Sequence, residues 1–348
     1  MTLSNGLELT GLHHVSAVTS NIEANRDFYT RALGMRIVKK SVNQDATDVY
    51  HLFYADGLGT PGTDVTFFDF PHTAPNHAGS GEIQEIALRV SGVDSLTYWQ
   101  ERFDTLGIQH GRITTRAGRK ALPFTDPEGQ RLALIEDGGD AAAIPGGQPW
   151  ELATVPVEYG IKGLGAISIS TARPEATLRV LTEIMGFRVI EDTPNAAVPG
   201  NRTVILETGK GGPGGLFIVH VTPSVPRAHL GHGGVHHIAF RVPTFEEHDK
   251  WQQYLEEAGF HVTPVIDRFY FKAMYFREPG GVLYEISSDE PGFATDEPLE
   301  SLGEKLALPP FFEDQRAQIE SKIRPLDTGK QVTTTEYGQP VPAGSTVR

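Results

Sequence analysis

The sequence predicts an α+β protein of 348 residues built from four copies of one βαβββ module, paired into two domains. Two observations carry that expectation. An apolar strand-like run, an amphipathic helical stripe and a closing glycine recur four times, and the recurrences are evenly spaced. From His14, Glu85, Ala166 and His237 to Gly34, Gly107, Gly186 and Gly259 the separations are 20, 22, 20 and 22 residues. Successive module starts lie 71, 81 and 71 residues apart, and the longer middle interval coincides with DGGDAAAIPGGQP at 137–149, whose Gly, Pro and Ala read as an interdomain linker. The expected domains are therefore residues 1–140 and 150–300, each a pair of modules, followed by a C-terminal extension over 301–348. Beyond about residue 325 that extension is expected to be flexible, from its Thr, Pro and Gly content.

In the first copy Ser20 and Glu23 are spaced as a capping box, and Phe28, Tyr29, Ala32 and Leu33 form one helix face before Gly34. The second begins EIALRV at Glu85 and places Leu96, Trp99, Phe103 and Leu106 at helical spacing up to Gly107. AISIS at Ala166 opens the third, with Pro174 at a helix start and Leu178, Leu181 and Met185 before Gly186. The fourth begins at His237. There Thr244 and Glu247 make a capping box, and Trp251, Tyr254, Leu255 and Ala258 precede Gly259. After each glycine come short β-like runs, including 49–54, 65–70, 132–135, 204–206, 216–221 and 282–286. GLGTPG at 57–62 lacks the Lys and following helix of a phosphate loop and reads as a turn between strands.

Composition narrows the function. A formal charge of −14, from 30 basic and 44 acidic residues, argues against nucleic acid and anionic membrane surfaces as partners. With no cysteine, a metal site must be assembled from His, Asp and Glu. The first residues lack a basic stretch followed by an apolar run, and no later segment is apolar for the roughly 18 residues a membrane span needs, so a cytoplasmic protein is expected. A homo-oligomer is compatible with the sequence.

The candidate chemistry lies in two echoing strands, GLHHVSAVTS from Gly11 and GVHHIAFRV from Gly234. Strand alternation sends His13 and His14 to opposite faces, and likewise His236 and His237, so one member of each pair is expected to enter a shared pocket. Downstream, REPGGVLYEIS carries Glu285 within an apolar strand, where a buried carboxylate needs a partner. Pairing modules one and four collects His14, His237 and Glu285. Modules two and three offer Glu85, Ala133 and Ala166 in the corresponding places, which cannot hold a metal the same way, and the strand 65–68 offers no fourth ligand. Two His and one carboxylate with open positions is the arrangement of non-haem Fe(II) oxygenases. His220, His229 and His232 lie in a Pro/Gly-rich stretch and read as solvated loop residues, with His232 placed to reach the pocket entrance.

These motifs, with YHLFYADGLGTPGTDVTFF at 50–68, the run from Arg268 through Tyr275 to Glu285, and GFATDEPLESLG at 292–303, resemble the vicinal-oxygen-chelate superfamily of glyoxalase I, extradiol dioxygenases and bleomycin-resistance proteins. Within it the chain looks most like the hydroquinone ring-cleaving dioxygenases, over residues 8 to 320. The resemblance implies the glyoxalase/bleomycin-resistance/dioxygenase fold and an Fe(II) cofactor, with Mn(II) an alternative, held by His14, His237 and Glu285. It assigns second-sphere and proton-transfer roles to His13, His236, Arg268 and Tyr275. A small aromatic substrate and O2 are the implied partners. A glyoxalase-like lyase or isomerase, and a metal-free binding protein of the same fold, are the rival expectations.

Overall fold

A computed structural model describes residue 3, residues 6–340 and residue 342. All four modules have the expected βαβββ order. Module one comprises β1 (Leu12–Thr19), α1 (Ile22–Asp27), β2 (Arg36–Asn43), β3 (Ala46–Ala55) and β4 (Asp64–Asp69). Module two comprises β5 (Ile83–Val90), α2 (Val93–Leu106), β6 (Thr114–Arg116), β7 (Arg119–Thr125) and β8 (Arg131–Glu136). Module three has β9 (Leu164–Thr171), α3 (Pro174–Arg179), β10 (Arg188–Pro194), β11 (Arg202–Glu207) and β12 (Leu216–Val221). Module four has β13 (Gly234–Val242), α4 (Phe245–Glu257), β14 (Ile266–Asp267), β15 (Phe271–Arg277) and β16 (Leu283–Pro291).

The helices explain the alternating module spacing. α2 and α4 are regular helices of 14 and 13 residues, whereas α1 and α3 each run on into a π-helical turn, Phe28–Ala32 and Val180–Ile184. All four closing glycines have positive φ, between 68° and 86°, a conformation that favours glycine. Thr244 caps α4 by accepting from Glu247 N, and Pro174 is the first residue of α3. The capping box at Ser20 does not form. Asn21 caps α1 through Ala24 N, because Ser20 donates its backbone N–H and hydroxyl to Glu128 on the module-two turn. The helical stripes bury Tyr29, Trp99, Leu181 and Trp251 against the sheets, while Ala258 lies past the last turn of α4 and is exposed.

The strands form two eight-stranded sheets, and each draws from both halves of the chain. One has the order β14-β15-β16-β13-β1-β4-β3-β2 and joins modules one and four. The other, β10-β11-β12-β9-β5-β8-β7-β6, joins modules two and three. Each is seamed at its centre by an antiparallel pair of first strands, β1 with β13 and β5 with β9, flanked by parallel pairs of first and last strands. Among the described residues no helix is long and apolar enough to cross a membrane.

The chain from about residue 325, expected to be flexible, packs through residue 339. Leu326 and Val332 are buried, and Arg31 donates to the carbonyls of Thr335, Glu336 and Gln339. Neither apolar periodicity nor a helix signal marks this stretch, because its contacts are made by single side chains and backbone carbonyls. Residues 341 and 343–348 lie outside the described residues. Deleting residues 326–348 should therefore destabilise the protein. Loss of two buried aliphatic side chains alone is worth about 3 kcal/mol or more, and at roughly 2–4 °C per kcal/mol the thermal midpoint should fall by several degrees, measurable by calorimetry. An unchanged midpoint would show that this packing adds nothing.

Candidate metal centre

The seam between β1 and β13 decides where the histidines go. Its register contains two bulges. Leu12 pairs with Phe240 and His14 with Ala239, leaving His13 extra on β1; Ser16 pairs with His237 and Ala17 with Val235, leaving His236 extra on β13. A bulged residue leaves the strict alternation and re-aims its side chain. The two rings of each pair therefore do not face away from each other as alternation predicts. They touch, with Nδ1 to Nδ1 distances of 2.9 Å for His13 and His14 and 2.8 Å for His236 and His237.

His14 and His237 meet Glu285 across the seam. His14 Nε2 lies 3.3 Å from His237 Nε2 and 3.4 Å from Glu285 Oε2, and His237 Nε2 lies 2.8 Å from Glu285 Oε2. All three residues are buried, and their ligand atoms form a group able to hold a metal ion. The spacing fits one cation: donors about 2.1 Å from a shared ion stand roughly 3.0–3.4 Å apart in octahedral or tetrahedral geometry. Glu285 Oε1 accepts from Ser287 Oγ at 2.5 Å, but Oε2 receives no hydrogen bond, a buried acceptor aimed at two imidazole nitrogens. An unpaired buried carboxylate oxygen is costly, and a cation removes that cost.

The hydrogen bonds behind the rings select the tautomer such a site needs. His13 Nε2 lies 3.1 Å from the Ser288 carbonyl, which can only accept, so this nitrogen carries the proton. Burial, then the adjacent His14 ring, holds His13 well below the usual imidazole range and keeps it neutral. Its Nδ1 is then an acceptor. His14 Nδ1 must donate to it, which leaves His14 Nε2 with a free lone pair at the cluster. His236 stands behind His237 in the same way and is lowered to about 4 by burial, His237 and Arg277. Burial opposes ionisation of Glu285, and positive charge or N–H donation at the two facing ring positions outweighs it and holds the carboxyl well below its usual range, a part that a cation takes over when the rings present lone pairs.

A cavity of about 520 Å³ opens beside the cluster. His14, His236 and His237 line it, so both members of the second pair reach the pocket where alternation allowed one, whereas His13 is sealed behind His14. Tyr275 on β15 is the direct cross-strand neighbour of Glu285, and the Arg268 guanidinium carbon lies 5.8 Å from the Tyr275 ring centre. Burial and the Glu285 charge raise the Tyr275 phenol well above its usual value against the pull of Arg268, so it stays protonated. Arg268 also reaches Asp45 at 3.0 Å, and Gln44 donates to its carbonyl at 2.9 Å, which ties the β2–β3 turn to the module-four wall. Phe53, Phe68, Phe70 and Phe271 supply apolar walls.

Register places Thr66 where module one would supply a counterpart of Glu285: Thr66 pairs with Ser16, as Glu285 pairs with Ala239. Its hydroxyl contacts Ser16 Oγ at 2.8 Å and His51 Nε2 at 2.9 Å, so this place offers no carboxylate or imidazole. The other sheet repeats the architecture with Gln84 and Gly165 as its bulged residues. A Cβ on Gly165 would lie 2.4 Å from Ile135 Cγ2, hence the glycine. There the four equivalent places hold Glu85, Ala166, Ala133 and Ile218, and Glu85 is ion-paired with Arg116. One donor of four cannot hold a metal, as the sequence indicates. His232 sits 3.5 Å from Glu128, away from the pocket it was placed to reach. His51 does line the pocket; the motif at 50–68 contains it but gives it no role. Alternation along β3, with Tyr50, Leu52 and Tyr54 in the core, is the one signal that points to it.

This four-module fold, with one carboxylate and two imidazoles at the seam of one module pair, defines a class: the chain belongs to the Glyoxalase/Bleomycin resistance protein/Dioxygenase superfamily, whose family model matches residues 11–134 and 163–286. Among relatives it is 45% identical to a Bacillus subtilis protein named as a candidate ring-cleaving dioxygenase, MhqA, over 92% of this chain and 100% of that one. It is 28% identical to the chlorohydroquinone/hydroquinone 1,2-dioxygenase of Sphingobium indicum, over 89% of this chain and 94% of that one. The crystal structure of a candidate dioxygenase from Bacillus subtilis superposes with a TM-score of 0.84 at 33% identity, covering 92% of this chain and 99% of that one.

The cluster predicts one divalent cation per chain. Saturating metal at a hundred times its Kd should stabilise the protein by about 2.7 kcal/mol, seen as a rise in thermal midpoint. His14→Ala, His237→Ala and Glu285→Ala should each abolish both the rise and the stoichiometric metal found by elemental analysis. Full occupancy in His14→Ala would mean that β1 contributes no ligand.

Proposed function

We propose that the protein is an Fe(II)-dependent ring-cleaving dioxygenase that opens a hydroquinone-type ring with O2, with His14, His237 and Glu285 as the metal ligands. The observation that carries this reading is the three-donor cluster, open on one side, at the wall of an aromatic-lined cavity. The activities named for the Bacillus and Sphingobium relatives support it. When bound, Fe(II) supplies open positions for a phenolate oxygen and O2 and the redox capacity to join them. Mn(II) suits the same ligands.

The chain's own residues do the rest. Two neutral imidazoles and one carboxylate leave about one net positive charge on the centre, which favours the phenolate form of a bound phenol. Para hydroxyls are too far apart to share one metal, so a hydroquinone binds through one oxygen and the protein must orient the other end. Tyr275, buried, protonated and beside Glu285, holds a proton at its hydroxyl where charge develops on the reacting oxygens, and Arg268 beside it favours that negative charge. His236 faces the cavity and stays neutral; with its Nδ1 accepting from His237, its Nε2–H is a hydrogen-bond donor toward the bound ring. His13 acts through His14, fixing its tautomer. The phenylalanine walls exclude water from the reacting ring.

A glyoxalase-like lyase or isomerase would use the metal as a Lewis acid with a fourth protein ligand, and the place for one holds Thr66, whose hydroxyl is engaged by Ser16 and His51.

Two outcomes test the reading. Tyr275→Phe removes one hydroxyl and keeps the ring, so iron content should persist while kcat falls by roughly 10²–10⁴. Unchanged turnover would reduce Tyr275 to a wall residue. With the iron-loaded protein, ¹⁸O2 and hydroquinone, one O2 should be consumed per ring, with both labelled atoms in the ring-opened product when it is weighed by mass spectrometry before exchange with water. Turnover of methylglyoxal–glutathione without O2 uptake would replace the dioxygenase reading with the lyase one.

A further inference from the structure

One wall of the cavity carries a polar group that the chemistry above leaves unused. His51 lies on β3, next to Phe68 across the strand pair, with its ring packed at 4.0 Å from Phe53 and 4.2 Å from Phe68 between centroids. Two aromatic neighbours fix the plane of the imidazole, so only its edge can meet a ligand. Nε2 is committed to Thr66 Oγ1 at 2.9 Å, and Thr66 in turn to Ser16. Nδ1 has no hydrogen-bond partner among the described residues, and it is not among the buried atoms sealed without one. Burial and the nearby His14 and His237 rings keep the imidazole neutral, able to accept or donate a single hydrogen bond to a hydroxyl.

The other polar groups of the wall away from the metal are already engaged. Asn43 Oδ1 accepts from Asp45 N, Gln44 holds the Arg268 carbonyl, Thr263 Oγ1 accepts from Tyr275 N, and Arg268 is paired with Asp45. Exceptions are Ser41, opposite His51 on β2, and the amide nitrogen of Asn43, which share this part of the wall without such a bond among the described residues. A ring held by one oxygen at the cluster must place its second hydroxyl in a cavity walled by phenylalanines, where an unpaired hydroxyl is unfavourable.

We propose that His51 is a substrate-positioning residue, hydrogen-bonding through Nδ1 the ring hydroxyl that does not bind the metal. This rests on the hydroquinone reading above and adds the group that distinguishes a para-diphenol from a simple phenol. Thr66 gains a role as well, since its hydroxyl stands where a fourth metal ligand would be and instead holds the tilt of the His51 ring.

The test is anaerobic calorimetry on the full-length Fe(II)-loaded protein with hydroquinone and with 4-methylphenol, which replaces the second hydroxyl by a methyl of similar size. Wild type should prefer hydroquinone by about tenfold, the worth of one hydrogen bond to a buried hydroxyl. His51→Phe should bring the ratio close to one by weakening hydroquinone alone, with iron stoichiometry retained. His51→Asn, whose amide reaches the place of Nδ1, should restore most of the preference. If His51→Phe fails to fold, His51→Leu takes its place, and a wild-type preference for hydroquinone in that variant overturns the proposal. A wild-type ratio in His51→Phe, or a ratio erased by Ser41→Ala instead, assigns the second hydroxyl elsewhere and leaves the dioxygenase reading intact. Failure of the wild-type protein to bind hydroquinone at all sinks that reading and this proposal with it.

Discussion

The antiparallel pairing of β1 with β13 is the contact on which the site depends. These strands are separated by more than two hundred residues, yet they lie side by side at the centre of one sheet. No single module contains the cluster: β1 brings His14, β13 brings His237, and β16, held parallel to β13, brings Glu285. The seam also places two bulges, and these convert the His-His pairs from rings on opposite faces into rings joined through Nδ1. Each of the two candidate imidazole ligands thereby acquires its own supporting imidazole from the neighbouring position in sequence, which orients the ring without recruiting a further strand.

The internal repeat makes the protein its own control. Both sheets have the same strand order, the same central seam and the same two bulge positions, and both enclose cavities of about 520 Å³. They differ in the side chains that the scaffold presents. Where one sheet has His14, His237 and Glu285, the other has Glu85, Ala166 and Ile218, with the lone carboxylate neutralised by Arg116. Architecture alone therefore does not make a metal centre, and function resides in a few positions on a shared frame.

The cavity itself is asymmetric. Its module-four wall carries Tyr275 and Arg268, with Glu285 behind Tyr275 across the strand pair, whereas its module-one wall carries Phe53, Phe68 and His51, with Thr66 behind them. Register makes the exchange explicit: Phe53 pairs with Thr66 as Tyr275 pairs with Glu285. The repeated strand pair presents a phenol and a carboxylate on one side and a phenylalanine and a threonine on the other. The Arg268 contacts to Gln44 and Asp45 link the two across the cavity.

Much of this was legible in the amino-acid sequence because it follows from local periodicity. Helical stripes, terminal glycines and β-like runs repeat at fixed spacing, so module number and order could be read directly, and the recurrence of His-His at equivalent points singled out His14 and His237, with Glu285 as the costly carboxylate that wanted a partner. What local pattern could not express was register. A bulge is a mismatch between two distant strands, invisible in either strand alone, so the meeting of His13 with His14 and of His236 with His237 emerged only in the folded sheet. The same holds for Ser20, drawn from its helix cap by Glu128 from another module, and for the packed stretch after Leu326, held by single contacts with no period. His51 belongs to both levels. Its face of β3 could be read from alternation, but its place beside Thr66 and the open edge of its ring were decided by tertiary structure, because they depend on strands that the sequence keeps apart.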